Sequence, residues 1–192
     1  PQEKSATRLI QRPVDISDKE WQQLLIKRVV SRFPIHSEIP DDLSQLLKSG
    51  LKFQLLSPMR QGPFGVDNLN AAIYQTIHSK SLRAPCEIIP IMITQNNYDL
   101  NLFNGEVGLL ISEKDKMSSY GVFFSIESSD TVRKIPALLL PCFELAYCLS
   151  VHKSQGSEFE NVLLVLPEGS EIFGRSALYT GATRGRKQLE II

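Results

Sequence analysis

The chain has 192 residues, 42% of them hydrophobic and 22% charged, enough for one domain, with or without a small insert, that folds without disulfides or metal. Its 21 basic and 21 acidic residues cancel, which argues against a sequence-independent polycation, so any nucleic-acid surface is local. No apolar run approaches the roughly 20 residues of a membrane span, and no secretory leader is visible. Cys86, Cys142 and Cys148 are odd in number and lack metal-ligand spacing; they read as buried, reduced thiols of a cytoplasmic protein, and no metal site is expected.

The first element is a helix. Ser17 and Glu20 make a capping box and Ile16 can staple to Trp21. Trp21, Leu24, Leu25 and Val29 keep one apolar face to about Ser31, and Pro34 ends the helix. A short second helix from Asp41 buries Leu43, Leu46 and Leu47 and stops at Gly50. The apolar run Phe53 to Ser57 predicts a strand, followed by an irregular loop with two prolines and two glycines between Pro58 and Gly65. Val66, Leu69, Ile73 and Ile77 predict a helix, and Ile88 to Thr94 a strand. From Asn104 to about Pro141 the pattern changes to short apolar runs, Val107 to Ile111 and Val122 to Ile126, between polar clusters, which predicts a small all-β insert. The strand Val162 to Leu166, a helix from about Arg175 to Arg184 and a last strand Gln188 to Ile192 complete the chain. Helices alternating with apolar strands predict an α/β fold with a largely parallel sheet. The domain reading is residues 1–103 plus 142–192 for the α/β body and 104–141 for the insert.

Four segments carry candidate chemistry, each with a plainer structural alternative. Val151 to Phe159, with Gly156, lies between two apolar runs, where a glycine lets backbone N–H groups approach a phosphate. Here Glu158 can accept hydrogen bonds from a ribose, and His152 and Lys153 can reach a nucleic-acid phosphate; the alternative is a solvated Gly-Ser connection. In Leu178 to Lys187, Arg184 offers an always-charged planar fork that suits a phosphoryl transition state; the alternative is a basic turn facing the helix dipole. Arg60, just past a strand end, is either a phosphate ligand or an ordinary surface residue. In Asn96 to Asp99 with Phe103 to Glu106, Tyr98 or Phe103 can stack on an unpaired base, or else pack beneath a polar turn.

Taken in order, Ser57-Pro58-Met59-Arg60 with Gly62-Pro63-Phe64-Gly65-Val66, then Phe103-Asn104-Gly105-Glu106-Val107-Gly108, then Val151 to Phe159 and Leu178 to Arg184 resemble the RecD family, the alpha subunits of exodeoxyribonuclease V within superfamily 1 helicases. The resemblance runs from about Phe53 onward. It implies a RecA-like, P-loop NTPase-type second motor domain with an SH3-like insert. It further implies that Arg60 and Arg184 reach the γ-phosphate, that Gln155, Gly156 and Glu158 face the nucleotide, and that His152, Lys153, Ser154, Asn96 and Tyr98 lie toward single-stranded DNA. Partners implied are single-stranded DNA and the beta and gamma subunits of the exodeoxyribonuclease; the whole protein would be a 5′→3′ helicase of break repair and recombination. Gly181 and Gly185 stand where the family often has alanine or a bulkier residue, which would loosen the helix around Arg184, and Asn97 stands where an acid is common.

One feature is missing. No G-x-x-x-x-G-K-[ST] run occurs and no strand ends in paired carboxylates. ATP and Mg²⁺ would therefore be held mostly by a first motor domain outside this chain, and the chain alone should not hydrolyse ATP. The rival readings are a non-enzymatic scaffold that docks partner subunits and another superfamily 1 helicase.

Overall fold

The computed structural model describes residues 6–33, 39–81, 84–125 and 131–192. Pro34 and Ile126, the expected ends of the first helix and of an apolar run in the insert, lie outside the described residues. In chain order the elements are β1 (Ala6–Leu9), α1 (Asp18–Val30), α2 (Leu43–Gly50), β2 (Phe53–Ser57), α3 (Val66–Ser81) and β3 (Cys86–Ile93). Then come β4 (Val107–Glu113), β5 (Ser118–Phe124), β6 (Val132–Pro136), a 3-10 turn (Ala137–Leu139), β7 (Phe143–Leu145) and β8 (Cys148–Ser150). The chain closes with β9 (Phe159–Leu164), a second 3-10 turn (Ser170–Phe173), α4 (Gly174–Ala182) and β10 (Gly185–Ile191). It divides into two compact units.

The first unit comprises Pro1–Arg32, Lys52–Ile73 and Tyr147–Ile192. Its sheet is wholly parallel, in the order β1-β10-β9-β2-β8. The strand β2 is buried along its whole length, as a strand covered on both faces must be. At one edge, the peptide groups of Cys148 on β8 are taken by Asn70 of α3, whose amide donates to Cys148 O and accepts from Cys148 N, both at 2.9 Å. The capping box of α1 forms as expected: Ser17 Oγ accepts from Glu20 N at 3.3 Å and Glu20 accepts from Ser17 N at 3.0 Å. The face of α1 is rotated from expectation. Leu25, Ile26, Val29 and Val30 are buried, whereas Leu24 is 46% exposed. Glu190 on β10 is 1% exposed and is gripped by Arg28, at 2.7 Å, and by Arg32. Burial pushes this carboxyl up, but the hydrogen bonds and charges of Arg32 and Arg28 outweigh it and hold it below the usual carboxylate range.

The second unit comprises Phe33–Leu51 and Tyr74–Ala146. Its sheet is wholly antiparallel, in the order β6-β5-β4-β3-β7. Sequence places the insert at 104–141; the sheet is wider. It takes in β3 before that segment, paired along its length with β4, and β7 after it. The physical reason is that β4 needs a partner on each side to satisfy its backbone. The helix α2, capped by Asp42 rather than Asp41 through bonds of 2.9 and 3.0 Å to Ser44 N and Gln45 N, lays Leu46 and Leu47 on Leu109, Ile111, Tyr120 and Val122. Cys86 and Cys148 are buried thiols as expected; Cys142 is exposed.

Among the described residues no helix is long and apolar enough to cross a membrane, and no group of three His, Cys, Asp or Glu side chains could hold a metal ion.

Candidate functional site

The segment 151–158 joins two parallel strands that flank β2, so it must cross the sheet from its C-terminal edge to its N-terminal edge. Val151 N donates to Ser57 O at 3.1 Å, which fixes the start of the crossing beside the end of β2. Ser150 pairs with Ser57 and Asn161 with Phe53. From Ser150 to Phe159 the crossing therefore covers about six strand steps, roughly 20 Å. Turns hold it: Ser154 N donates to Ser150 O, Gln155 N to His152 O and Ser157 N to Ser154 O, at 3.1 to 3.2 Å. His152 and Lys153 are exposed at its beginning; Gln155, Gly156 and Glu158 are exposed toward its end. Ser154 is fully buried and its hydroxyl donates to Val151 O at 2.8 Å. The expectation that Ser154 faces a DNA strand is thus corrected: it shapes the loop from inside. Gly156 has φ +85°, and a methyl there would meet nothing within 4 Å, so the backbone angle alone calls for glycine.

Arg184 follows α4 and precedes β10, at the N-terminal edge. Its Nε donates to Thr180 O at 3.0 Å, Nη1 to Ser157 O at 3.2 Å and Nη2 to Thr183 Oγ1 at 3.1 Å. Its own carbonyl accepts from Phe159 N at 2.8 Å. The guanidinium therefore latches the end of α4 to the crossing loop, next to Gly156 and Glu158, and keeps two of its five N–H groups for another acceptor. Glu158 is paired with Arg186 in this arrangement. Gly181 does not loosen the helix as expected. It is buried, and a methyl there would come within 2.9 Å of Leu164 Cδ1, so the glycine lets α4 sit close on β9. Gly185 lies outside the helix, as the first residue of β10.

Arg60 lies elsewhere. It follows the C-terminal end of β2, is 72% exposed and pairs with Asp67 in the first turn of α3 at 3.3 Å. Ser57 closes this turn by donating to Phe64 O at 2.8 Å. Arg60 and Arg184 thus stand at opposite edges of one parallel sheet, in one compact unit. Closure onto another domain cannot bring their backbones together, and the expectation that both reach the same γ-phosphate is corrected on that ground. Arg60 shares its edge with His152 and Lys153. A cleft of about 590 Å³ opens at that C-terminal edge, lined by Arg12, Trp21, Met59, Pro63, Phe64 and Leu166 among others. Sequence places Trp21 only on a helix face; nothing in the local pattern marks the cleft, because its walls come from segments far apart in the chain.

The second unit carries Asn96 and Tyr98. The loop after β3 is closed by an isolated bridge, Asn97 to Leu102, with N to O distances of 2.7 and 2.9 Å. Asn96 Oδ1 accepts from Asn104 N at 2.8 Å, and its amide N–H donates to the Tyr98 hydroxyl at 3.4 Å. Tyr98 is 73% exposed and meets Phe103 edge-to-face, with ring centroids 6.2 Å apart. Burial pushes the Glu106 carboxyl above the usual range, although Arg133 beside it pulls the other way.

A model of the UvrD-like helicase C-terminal domain matches residues 145–192. The RecBCD enzyme subunit RecD of Buchnera aphidicola (subsp. Acyrthosiphon pisum) is 35% identical over 158 residues, covering 78% of this chain and 26% of that protein. The RecD subunit of Haemophilus influenzae is 32% identical over 72% of this chain and 21% of its own length. The ATP-dependent RecD2 DNA helicase of Deinococcus radiodurans is 32% identical over 69% of this chain and 19% of its own. Among solved structures, the Pif1 helicase from Candida albicans aligns over 95% of this chain and 57% of its own with a TM-score of 0.44 at 17% identity, a likeness too slight to decide anything. The chain spans about a quarter or less of the length of these curated relatives. By sequence, then, the chain is similar to RecD subunits over most of its length, and its residues 145–192 match a helicase C-terminal domain.

Proposed function

We propose that this chain is the second motor-domain portion of an ATP-dependent 5′→3′ DNA helicase, the alpha subunit of an exodeoxyribonuclease V that works with beta and gamma subunits in the cytoplasm on broken DNA. The observation that carries this reading is the latch of Arg184 to Ser157, which gathers a guanidinium, the positive-φ Gly156 and the Glu158 carboxylate at one edge of a parallel sheet. A guanidinium with free N–H groups stabilises charge that develops on a transferring phosphoryl group. Glycine in that conformation presents backbone N–H groups to an anion. The P-loop and the Mg²⁺ ligands would belong to the first motor domain.

At the other edge, His152, Lys153 and Arg60 would follow the phosphates of single-stranded DNA. Asn96 and Tyr98, carried by the second unit, would also contact the strand. One loop would then link the two ligands: its start touches DNA and its end touches nucleotide. The second unit would be the SH3-like subdomain; four meandering strands, a 3-10 turn and a fifth strand that returns to pair with the first support that reading. Strand separation by the intact protein on duplexes with one single-stranded tail tests the function. Unwinding is expected from a 5′ tail and not from a 3′ tail. Failure on both, with ATP present, would remove the helicase reading.

A further inference from the structure

Resting on the reading of this chain as part of a motor that follows a single strand, we propose that Tyr98 and Phe103 form a stacking platform for one unpaired nucleobase, held in place by Arg133 as a positioning residue. Two large aromatic rings stand exposed on this loop, Tyr98 at 73% and Phe103 at 40%, and the loop that carries them is tied down by hydrogen bonds. Arg133 is only 19% exposed. Its Nη1 donates to Leu100 O at 3.0 Å and to Asn101 O at 2.7 Å, its Nε to Phe124 O at 2.9 Å, and its Nη2 pairs with Glu106. Glu106 in turn accepts from Phe103 N at 3.3 Å. One guanidinium thus staples both arms of the loop to β5 and to the segment that bears Phe103.

In the same loop Leu102 is fully buried, and Asn101 takes φ +53°, the left-handed region that asparagine enters more readily than most residues. The edge-to-face contact with Phe103 fixes the tilt of Tyr98 and leaves the exposed ring for a flat partner. Arg133 is turned inward onto Glu106, so those two charges cancel within the loop. What the loop offers a nucleotide is the exposed faces of its rings, so the chemistry recognised is the face of a base. A preordered ring loses little entropy on stacking.

The test compares binding of the 192-residue chain to a short oligothymidylate and to an abasic strand of equal length, each over a series of salt concentrations. The wild-type chain is expected to prefer the strand with bases by about tenfold, within the range for one stacked base. Tyr98→Ala and Phe103→Ala should each remove most of that preference, leave abasic binding intact, and leave the slope of affinity against salt unchanged. Arg133→Met should lower the preference several-fold with the same unchanged abasic binding. If Arg133→Met does not fold, Arg133→Lys, which keeps the charge beside Glu106 but not the fork, gives the same readout. Equal wild-type affinity for the two strands overturns the platform and leaves the motor reading standing. A preference that survives both aromatic substitutions also overturns it. Binding to neither strand overturns the platform together with the reading beneath it.

Discussion

Arg184→Lys separates a latch from a catalytic group. Lysine keeps the charge but cannot serve three acceptors arranged around a planar fork. Without the fork, Thr180 O and Ser157 O are no longer bridged by hydrogen bonds of 3.0 and 3.2 Å in a half-buried setting, and the exposed Thr183 hydroxyl is released as well. At about 1 kcal/mol for each backbone hydrogen bond and little for the third, the chain should lose about 1–2 kcal/mol of stability. For a domain of this size that is a fall in Tm of roughly 2–8 °C. A domain stable by about 5 kcal/mol or more stays almost wholly folded after such a loss. Any larger fall in ATP turnover by the intact protein is therefore chemical. If Arg184 meets the γ-phosphate, kcat should drop by about a thousandfold or more while nucleotide affinity changes little. The assay is steady-state ATP hydrolysis with saturating single-stranded DNA, beside equilibrium nucleotide binding and thermal denaturation. A variant with the expected loss in Tm but more than a tenth of wild-type turnover would show that Arg184 is a latch alone.

Three further expectations follow from the packing. The low-lying Glu190 carboxyl means that stability from its Arg28–Arg32 fork is complete above the ordinary carboxyl value of 4.5 and is lost as pH falls below that, through the folded value; acid denaturation of Glu190→Gln should lack this component, and Arg32→Met should cost about 2 kcal/mol at neutral pH by leaving a buried carboxylate half paired. Gly156→Ala should cost about 1–2 kcal/mol in chemical denaturation, all of it from φ +85°, because there is free space for the methyl. Gly181→Ala gains about 1 kcal/mol of helix propensity but drives a methyl into the buried Leu164, so a net loss of about 1 kcal/mol is expected, and no loss would mean that Leu164 has room to turn.

Local signals were the ones sequence could carry. The capping box at Ser17, the strand Phe53 to Ser57 and the helix bearing Leu69, Ile73 and Ile77 are each dictated by neighbours a few residues apart, and each forms where the pattern puts it. The strand Ala6–Leu9 was not legible, because it is an exposed edge strand with no apolar alternation. Cys86 to Ile93 is an apolar run that fits a parallel or an antiparallel sheet equally well; which sheet it joins depends on partners far along the chain. The site shows the same division. Gly156, Glu158 and Arg184 are brought to one edge by the bonds of Arg184 to Ser157 and Phe159. That Arg60 belongs to the opposite edge follows from strand direction and order, which no single motif encodes. Ser154 looks like any small polar loop residue, and its burial is a tertiary fact.

Hydrolysis of ATP by the purified 192-residue chain, measured beside the intact protein with single-stranded DNA, tests most directly whether this chain is one half of a motor. Turnover is expected from the intact protein only, with none above background from the chain. Robust turnover by the chain alone, abolished by Arg184→Ala, would contradict it.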